Sequence, residues 1–122
     1  MSSLKLAIAD TNELYLRGLA EYIMEEYGQT FELACFTTEE TLMQYLSKEA
    51  ELDILIVDNT MPYHDLPLQN STTAFRLVDT PENKTLSPDR EIYRYQNAKS
   101  IVQELLRKQE AAGRQIYTKK EK

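Results

Sequence analysis

Three aspartates stand where side chains commonly bind ligands, because each of them directly follows a short apolar segment. They are Asp10 after Leu4–Ala9, Asp58 after Ile54–Val57, and Asp79 after Phe75–Val78. If these segments are parallel strands, the carboxylates meet beyond the carboxyl ends of the strands, where open α/β sheets bind their ligands. Carboxylates brought together repel one another unless a cation or a basic side chain lies among them, and Mg²⁺ is the natural candidate cation because it prefers oxygen ligands. We therefore predict an acidic crevice formed by the three aspartates, with Mg²⁺ as the candidate cation.

Asp10 has a second interpretation, because an aspartate at a strand-to-helix junction often caps the helix that follows it. Taken alone, Asp10 favours neither interpretation over the other. Taken together with Asp58 and the Met61-Pro62 pair that follows it, Asp10 is better explained as part of the crevice than as a helix cap.

Segments with strand and helix patterns alternate along the chain, which is typical of a parallel sheet with helices on both faces. Further strands are predicted at Phe31–Phe36 and Ile92–Tyr95, and helices around Leu16–Tyr27, Leu42–Leu46 and Ala98–Ala112. The segments Met61–Ser71 and Thr80–Arg90 contain prolines and lack a helical period, so the third and fourth helices should be shortened. The prediction is an α/β fold with a doubly wound, parallel, five-stranded sheet.

The composition indicates one compact domain. The chain has 122 residues and a net charge of −6 at pH 7, which argues against a nucleic-acid surface. No apolar run approaches the roughly 20 residues that span a bilayer, so we expect no membrane insertion. A single cysteine, Cys35, excludes an internal disulfide and suits the cytoplasm. We expect one domain over residues 1–112 and a linker or disordered tail over residues 113–122.

The segments around Asp10 and Asp58 resemble the receiver domains of bacterial response regulators. Leu6–Asp10 is similar to the first strand of that family, which ends in a metal-binding acid. Leu55–Pro62 is similar to the strand and loop that carry the phospho-acceptor. The resemblance implies a flavodoxin-like fold, with Asp58 as the candidate phospho-acceptor and Mg²⁺ held by Asp10 and Asp58. In a working receiver, Asp58 would accept phosphate from a histidine kinase or from a small phosphodonor.

Four positions depart from the receiver pattern. Thr11 replaces the second acid, Asp79 replaces the switch hydroxyl, Arg94 replaces the lysine after the fifth strand, and Tyr95 replaces the proline after that lysine. An ionised Asp79 cannot donate a hydrogen bond to a phosphoryl group and would repel it. Arg94 is expected to bridge Asp79 and Asp58 in a fixed, switch-like network, which would impair phosphorylation. Alternatively, Asp79 replaces the missing acid and helps to hold Mg²⁺.

A narrower resemblance comes from the C-terminal part of the chain. Ile92–Ala98 and Ile101–Leu105 are similar to a segment in the TadZ/CpaE group of Flp-type pilus assembly proteins, which join an atypical receiver to a MinD/ParA-like ATPase. The chain has no glycine-rich phosphate loop, so any ATPase activity would lie in a domain outside this chain, and the chain itself is not expected to be an enzyme. The resemblance implies a docking module that localises an attached ATPase in Flp (Tad) pilus assembly, in the cytoplasm and at a cell pole.

Tyr93 and Tyr95 alternate around the fifth predicted strand, so their rings should point to the same side. Tyrosine is favoured at interfaces, and these two residues are therefore candidates for a homodimer contact. Packing of the two rings under the last helix is an equally good interpretation. Two functions stay open at this point: a docking or dimerisation module with impaired phosphorylation, and a working phospho-accepting receiver.

Overall fold

A computed structural model of the chain describes residues 3–48, 51–61, 72–80 and 88–121, with side chains up to residue 111. The strands are β1 (Leu4–Ala9), β2 (Phe31–Phe36), β3 (Ile54–Asp58), β4 (Thr73–Val78) and β5 (Glu91–Tyr93). The α-helices are α1 (Glu13–Tyr27), α2 (Glu39–Lys48) and α3 (Ala98–Glu121), and a 3-10 helix spans Pro88–Arg90. The fifth strand was predicted to extend to Tyr95, but β5 ends at Tyr93. Arg94 and Tyr95 therefore lie in the turn that follows the strand.

The five strands form one parallel sheet in the order β2-β1-β3-β4-β5. This topology confirms the predicted α/β fold of flavodoxin-like type. From β1 the chain first moves to β2 on one side and then crosses to β3 on the other side. The crevice of such a sheet lies at this reversal, between β1 and β3. Ala9 pairs with Val57 in the register, so the residues that follow them, Asp10 and Asp58, are neighbours at the rim.

Apolar side chains cover both faces of the sheet, which holds the strand ends rigidly. One face packs against α1 and α3 through a large core that includes Ile8, Ile56 and Phe75. The other face packs against α2 through a smaller core that includes Ala9 and Val57. All five residues of β3 are buried, as expected for a central strand that is covered on both faces. Asp58 is the last of them and is held in place by the strand.

The last helix is longer than the sequence indicates. We expected it to end at Ala112, directly before Gly113, but α3 continues through this glycine to Glu121. A glycine inside a helix costs about 1 kcal/mol relative to alanine, and the neighbouring Ala111, Ala112 and Gln115 are good helix formers that offset this cost. The division of the chain into a domain over residues 1–112 and a tail over residues 113–122 stays a prediction.

The shortened third and fourth helices fall mainly on residues 62–71 and 81–87, which lie outside the described residues. Among the residues that the structure does describe, no helix combines the length and the apolar character that crossing a bilayer requires.

Candidate functional site

Asp10 and Asp58 are buried side by side at the rim of the sheet. Asp10 follows β1 and is 1% exposed, while Asp58 is the last residue of β3 and is 3% exposed. Buried carboxylates remain ionised only where cations or hydrogen-bond donors compensate for the lost water. The partners of these two side chains therefore decide what the site can do.

The Arg94 guanidinium lies between the two carboxylates. Its Nη2 donates to Asp10 Oδ2 at 2.8 Å, and its Nη1 donates to Asp58 Oδ1. The Arg94 backbone N–H donates to Val78 O at 3.0 Å, which extends the β4–β5 pairing by one residue and fixes the start of the side chain. A planar guanidinium can direct two N–H groups at two different acids, which a lysine ammonium on a flexible stem does less well. We call Asp10, Asp58 and Arg94 the pocket triad.

The expected partners of Arg94 were partly wrong. We expected Arg94 to bridge Asp79 and Asp58, but the second carboxylate is that of Asp10. Asp79 lies in the bend after β4 with its side chain exposed, and no contact between described residues joins it to Arg94. A carboxylate in water gains little from an ion pair, whereas two buried carboxylates need the guanidinium.

The other carboxylate oxygens of the pocket triad also have donors. The Asn12 backbone N–H donates to Asp10 Oδ1 at 2.9 Å. Asp58 Oδ2 accepts from the Thr60 hydroxyl and, at 3.4 Å, from the Thr60 backbone N–H. All four oxygens are therefore engaged within the chain. The sequence reasoning missed Thr60, although an aspartate side chain often accepts from the backbone N–H two positions later.

Tyr15 is a second residue that the sequence reasoning missed. The Arg94 Cζ atom lies 4.5 Å from the centre of the Tyr15 ring, and the Tyr15 hydroxyl donates to Arg94 O at 3.0 Å. Burial raises the pKa of Tyr15 to about 12, although the charge of Arg94 opposes this shift. The sequence could have indicated Tyr15, because it lies in the first turn of the helix that follows Asp10. Tyr15 thus holds both the guanidinium and the backbone of Arg94 against α1.

The pKa values of Asp10 and Arg94 are both raised, for different reasons. Burial raises the pKa of Asp10, and the charge of Asp58 adds to this effect, while the Asn12 N–H and Arg94 oppose it. Burial alone would lower the pKa of Arg94, but the charges of Asp10 and Asp58 outweigh this effect and raise it. Arg94 therefore stays protonated. The raised pKa of Asp10 means that this carboxyl binds a proton more tightly in the folded chain than in the unfolded chain.

The raised pKa of Asp10 predicts a pH dependence of stability. The folded chain binds this proton more tightly than the unfolded chain, so the contribution of Asp10 to folding is lost as the pH rises from 3.8 through the folded pKa. The variant Asp10→Asn lacks this titration. We expect the free energy of unfolding of the wild type to fall relative to that of Asp10→Asn over this window. Urea unfolding from about pH 4 to about pH 7 measures the difference, and a constant or rising difference would contradict the prediction.

The arrangement of the described residues does not fit the expected Mg²⁺ ion. Asp10 and Asp58 each direct one oxygen at Arg94, whose guanidinium lies where a shared cation would have to bind. Within the described part of the chain, no group of three or more acidic, histidine or cysteine side chains is placed to hold a metal. A Mg²⁺ ion would therefore have to displace Arg94, and binding of Mg²⁺ by Asp10 and Asp58 stays a prediction.

Tyr93 and Tyr95 lie together at the end of β5. Their ring centres are 5.8 Å apart in an edge-to-face arrangement, which agrees with the expectation that both rings point to one side. Tyr93 is half-buried, whereas Tyr95 is 65% exposed. We call these two residues the tyrosine surface. An exposed ring next to an edge strand is available for contact with another molecule.

A comparison with protein families agrees with this geometry. The family model described as "TadZ-like, receiver domain" matches residues 2–109, which include the whole pocket triad and the tyrosine surface. No curated protein matches the chain. The parallel sheet, the buried aspartate at the end of β3 and the family match agree, and the chain belongs to the TadZ-like receiver domain family.

Proposed function

We propose that the chain is a docking and dimerisation module whose phospho-acceptor pocket is closed by Arg94. In this proposal it localises an attached MinD/ParA-like ATPase during Flp (Tad) pilus assembly, at a cell pole. The position of Arg94 between Asp10 and Asp58 carries the proposal, because the guanidinium lies where a Mg²⁺ ion shared by the two carboxylates would have to bind.

The closed pocket impairs phosphorylation of Asp58 for two reasons. Both oxygens of Asp58 accept hydrogen bonds from within the chain, and these bonds lower the nucleophilicity of the carboxylate toward a phosphodonor. A phosphoryl group would also bring a charge of about −1.5 to −2 beside the buried Asp10 carboxylate. Arg94 carries one positive charge, which cannot balance both of these anions.

The tyrosine surface is the proposed dimer contact. β5 is the last strand of the sheet, so among the described residues its outer edge has no strand partner. Tyr95 presents most of its ring beside this edge, and tyrosine is enriched in the centres of interfaces. A second copy of the chain is the proposed partner, because two such surfaces can meet about a two-fold axis.

The ATPase and its location rest on the resemblance and on the family match. A TadZ-like receiver domain supports a role in a Tad system. Any ATPase activity would belong to a domain or a partner outside this chain, and the chain itself is proposed to be non-catalytic. Its task in this proposal is to bring the ATPase to the right place rather than to switch it on.

Beryllofluoride tests the closed pocket, because it mimics a phosphoryl group on an aspartate in the presence of Mg²⁺. We expect no bound fluorine signal in ¹⁹F NMR spectra of the wild type, and no difference between the wild type and Asp58→Asn. A stable adduct of the wild type that is lost in Asp58→Asn would support the alternative, a working receiver that takes phosphate from a histidine kinase. Acetyl phosphate followed by mass spectrometry provides a second, covalent measurement.

A further inference from the structure

The turn between β5 and α3, residues 94–97, holds Arg94 in the pocket and Tyr95 at the surface. Gln96 closes this turn, because its Nε2 donates to Tyr93 O at 2.7 Å. The same Nε2 donates to Glu104 Oε1 at 2.9 Å, and Glu104 belongs to the second turn of α3. One side-chain amide therefore connects the turn that carries Arg94 to the helix that follows it.

A buried lysine extends this connection back to the strand. Lys108 Nζ donates to Glu104 Oε2 at 2.7 Å and to Glu91 O at 2.7 Å. Glu91 is the first residue of β5, so Lys108 joins α3 to the start of the strand while Gln96 joins α3 to its end. We call Gln96, Glu104 and Lys108 the turn clamp.

The burial of the turn clamp indicates that it is difficult to rearrange. Lys108 is 5% exposed, and a buried ammonium must keep its partners because the loss of water is otherwise uncompensated. The Glu104 side chain is 14% exposed, so its ion pair with Lys108 is shielded from solvent on both sides. None of these three residues contacts Asp10 or Asp58 among the described interactions, so the pocket triad itself does not account for them.

We infer that the turn clamp is a positioning device that keeps Arg94 between Asp10 and Asp58, and that a shift of α3 against β5 opens the pocket. This inference rests on the closed pocket of the proposed function and adds its regulation. Hydrogen bonds weaken steeply when their distance and angle change, so a small movement of α3 breaks the bonds of Gln96 and releases the turn. A released turn withdraws Arg94 from the two carboxylates, and α3 thereby controls access to Asp58.

Hydrogen exchange of the Arg94 amide tests this inference, because Arg94 is the first residue of the turn and its N–H donates to Val78 O. We expect Gln96→Ala to accelerate exchange at Arg94 by at least about fivefold, the factor that corresponds to one of the two hydrogen bonds it removes. Glu104→Gln should have the same direction of effect, since it removes the charge that holds Lys108. Gln103→Ala, a change at an exposed position on the same helix, is the matched control and should leave the rate unchanged.

The amides of Ile8 and Ile56 in the central strands report global unfolding and serve as an internal reference. The inference requires that exchange at Arg94 accelerates while exchange at these two amides does not. Unchanged exchange at Arg94 in both clamp variants would overturn it, and so would acceleration that is equal at all three amides. The two experiments distinguish the two proposals. An adduct of the wild type with beryllofluoride would overturn the closed pocket. Unchanged exchange at Arg94 in the clamp variants would overturn only the role of the turn clamp.

Discussion

Replacing Arg94 with alanine is expected to lower the free energy of unfolding by about 3–5 kcal/mol, the range observed when one partner of a buried ion pair is removed. The variant leaves Asp10 and Asp58 at the rim with no positive charge between them, at 1% and 3% exposure in the intact chain. It also removes the contact with the Tyr15 ring. Urea unfolding followed by circular dichroism at neutral pH measures the loss.

Two further variants separate the effect of charge from that of geometry, and a third serves as a control. Arg94→Lys keeps one positive charge but not the planar pair of donors, and we expect an intermediate loss of stability. The double variant Arg94→Ala with Asp10→Asn should recover part of the loss, because it removes one of the two unpaired charges. Arg107→Ala is the control at an exposed arginine and should stay within about 0.5 kcal/mol of the wild type. A loss below about 1 kcal/mol for Arg94→Ala would contradict a buried and ionised pocket triad.

Replacing Tyr95 with alanine is expected to weaken the proposed homodimer by about tenfold or more. Central tyrosines in interfaces commonly contribute about 2 kcal/mol or more to binding, and each 1.4 kcal/mol corresponds to roughly a factor of ten. The stability of the monomer should change little, because Tyr95 is 65% exposed and its ring contacts are limited to those with Tyr93 and, at 5.9 Å, the Arg94 guanidinium among the described interactions. Sedimentation equilibrium over a range of protein concentrations measures the dissociation constant.

Leu14→Ala is the matched control for this experiment, because Leu14 is also a large exposed apolar residue, at 77%, but lies on α1. It should leave the dissociation constant unchanged. Tyr95→Phe tests whether the ring alone is sufficient, and we expect most of the affinity to remain. A wild type that is monomeric at every concentration, or equal weakening by Tyr95→Ala and Leu14→Ala, would contradict a dimer built on the tyrosine surface.

The strand-end acids could be predicted from the sequence because local patterns determine them. Apolar segments of four to six residues identified the strands that end at Asp10 and Asp58, and the parallel order of the sheet then brings the two acids together. The position of Asp79 could not be predicted in this way. The direction in which a chain leaves a strand depends on the packing of the following bend, and here the bend places Asp79 in solvent.

Other parts of the site depend on contacts that sequence periodicity does not encode. Tyr15 and Arg94 are separated by 79 positions, and only the tertiary fold brings the first turn of α1 next to the turn after β5. The end of α3 was misplaced for a different reason. The glycine at position 113 signals a helix end, but one glycine is a weak signal among strong helix formers.

The continuation of α3 to Glu121 has a geometric consequence for any segment that follows it. A helix of 24 residues is about 36 Å long, whereas a strand of six residues spans about 20 Å. Since α3 begins at the rim that carries Arg94 and runs back along the sheet, its last turns project beyond the opposite rim. The helix thus forms a lever arm whose far end is remote from Asp58, and a small tilt at its base becomes a larger displacement at its tip.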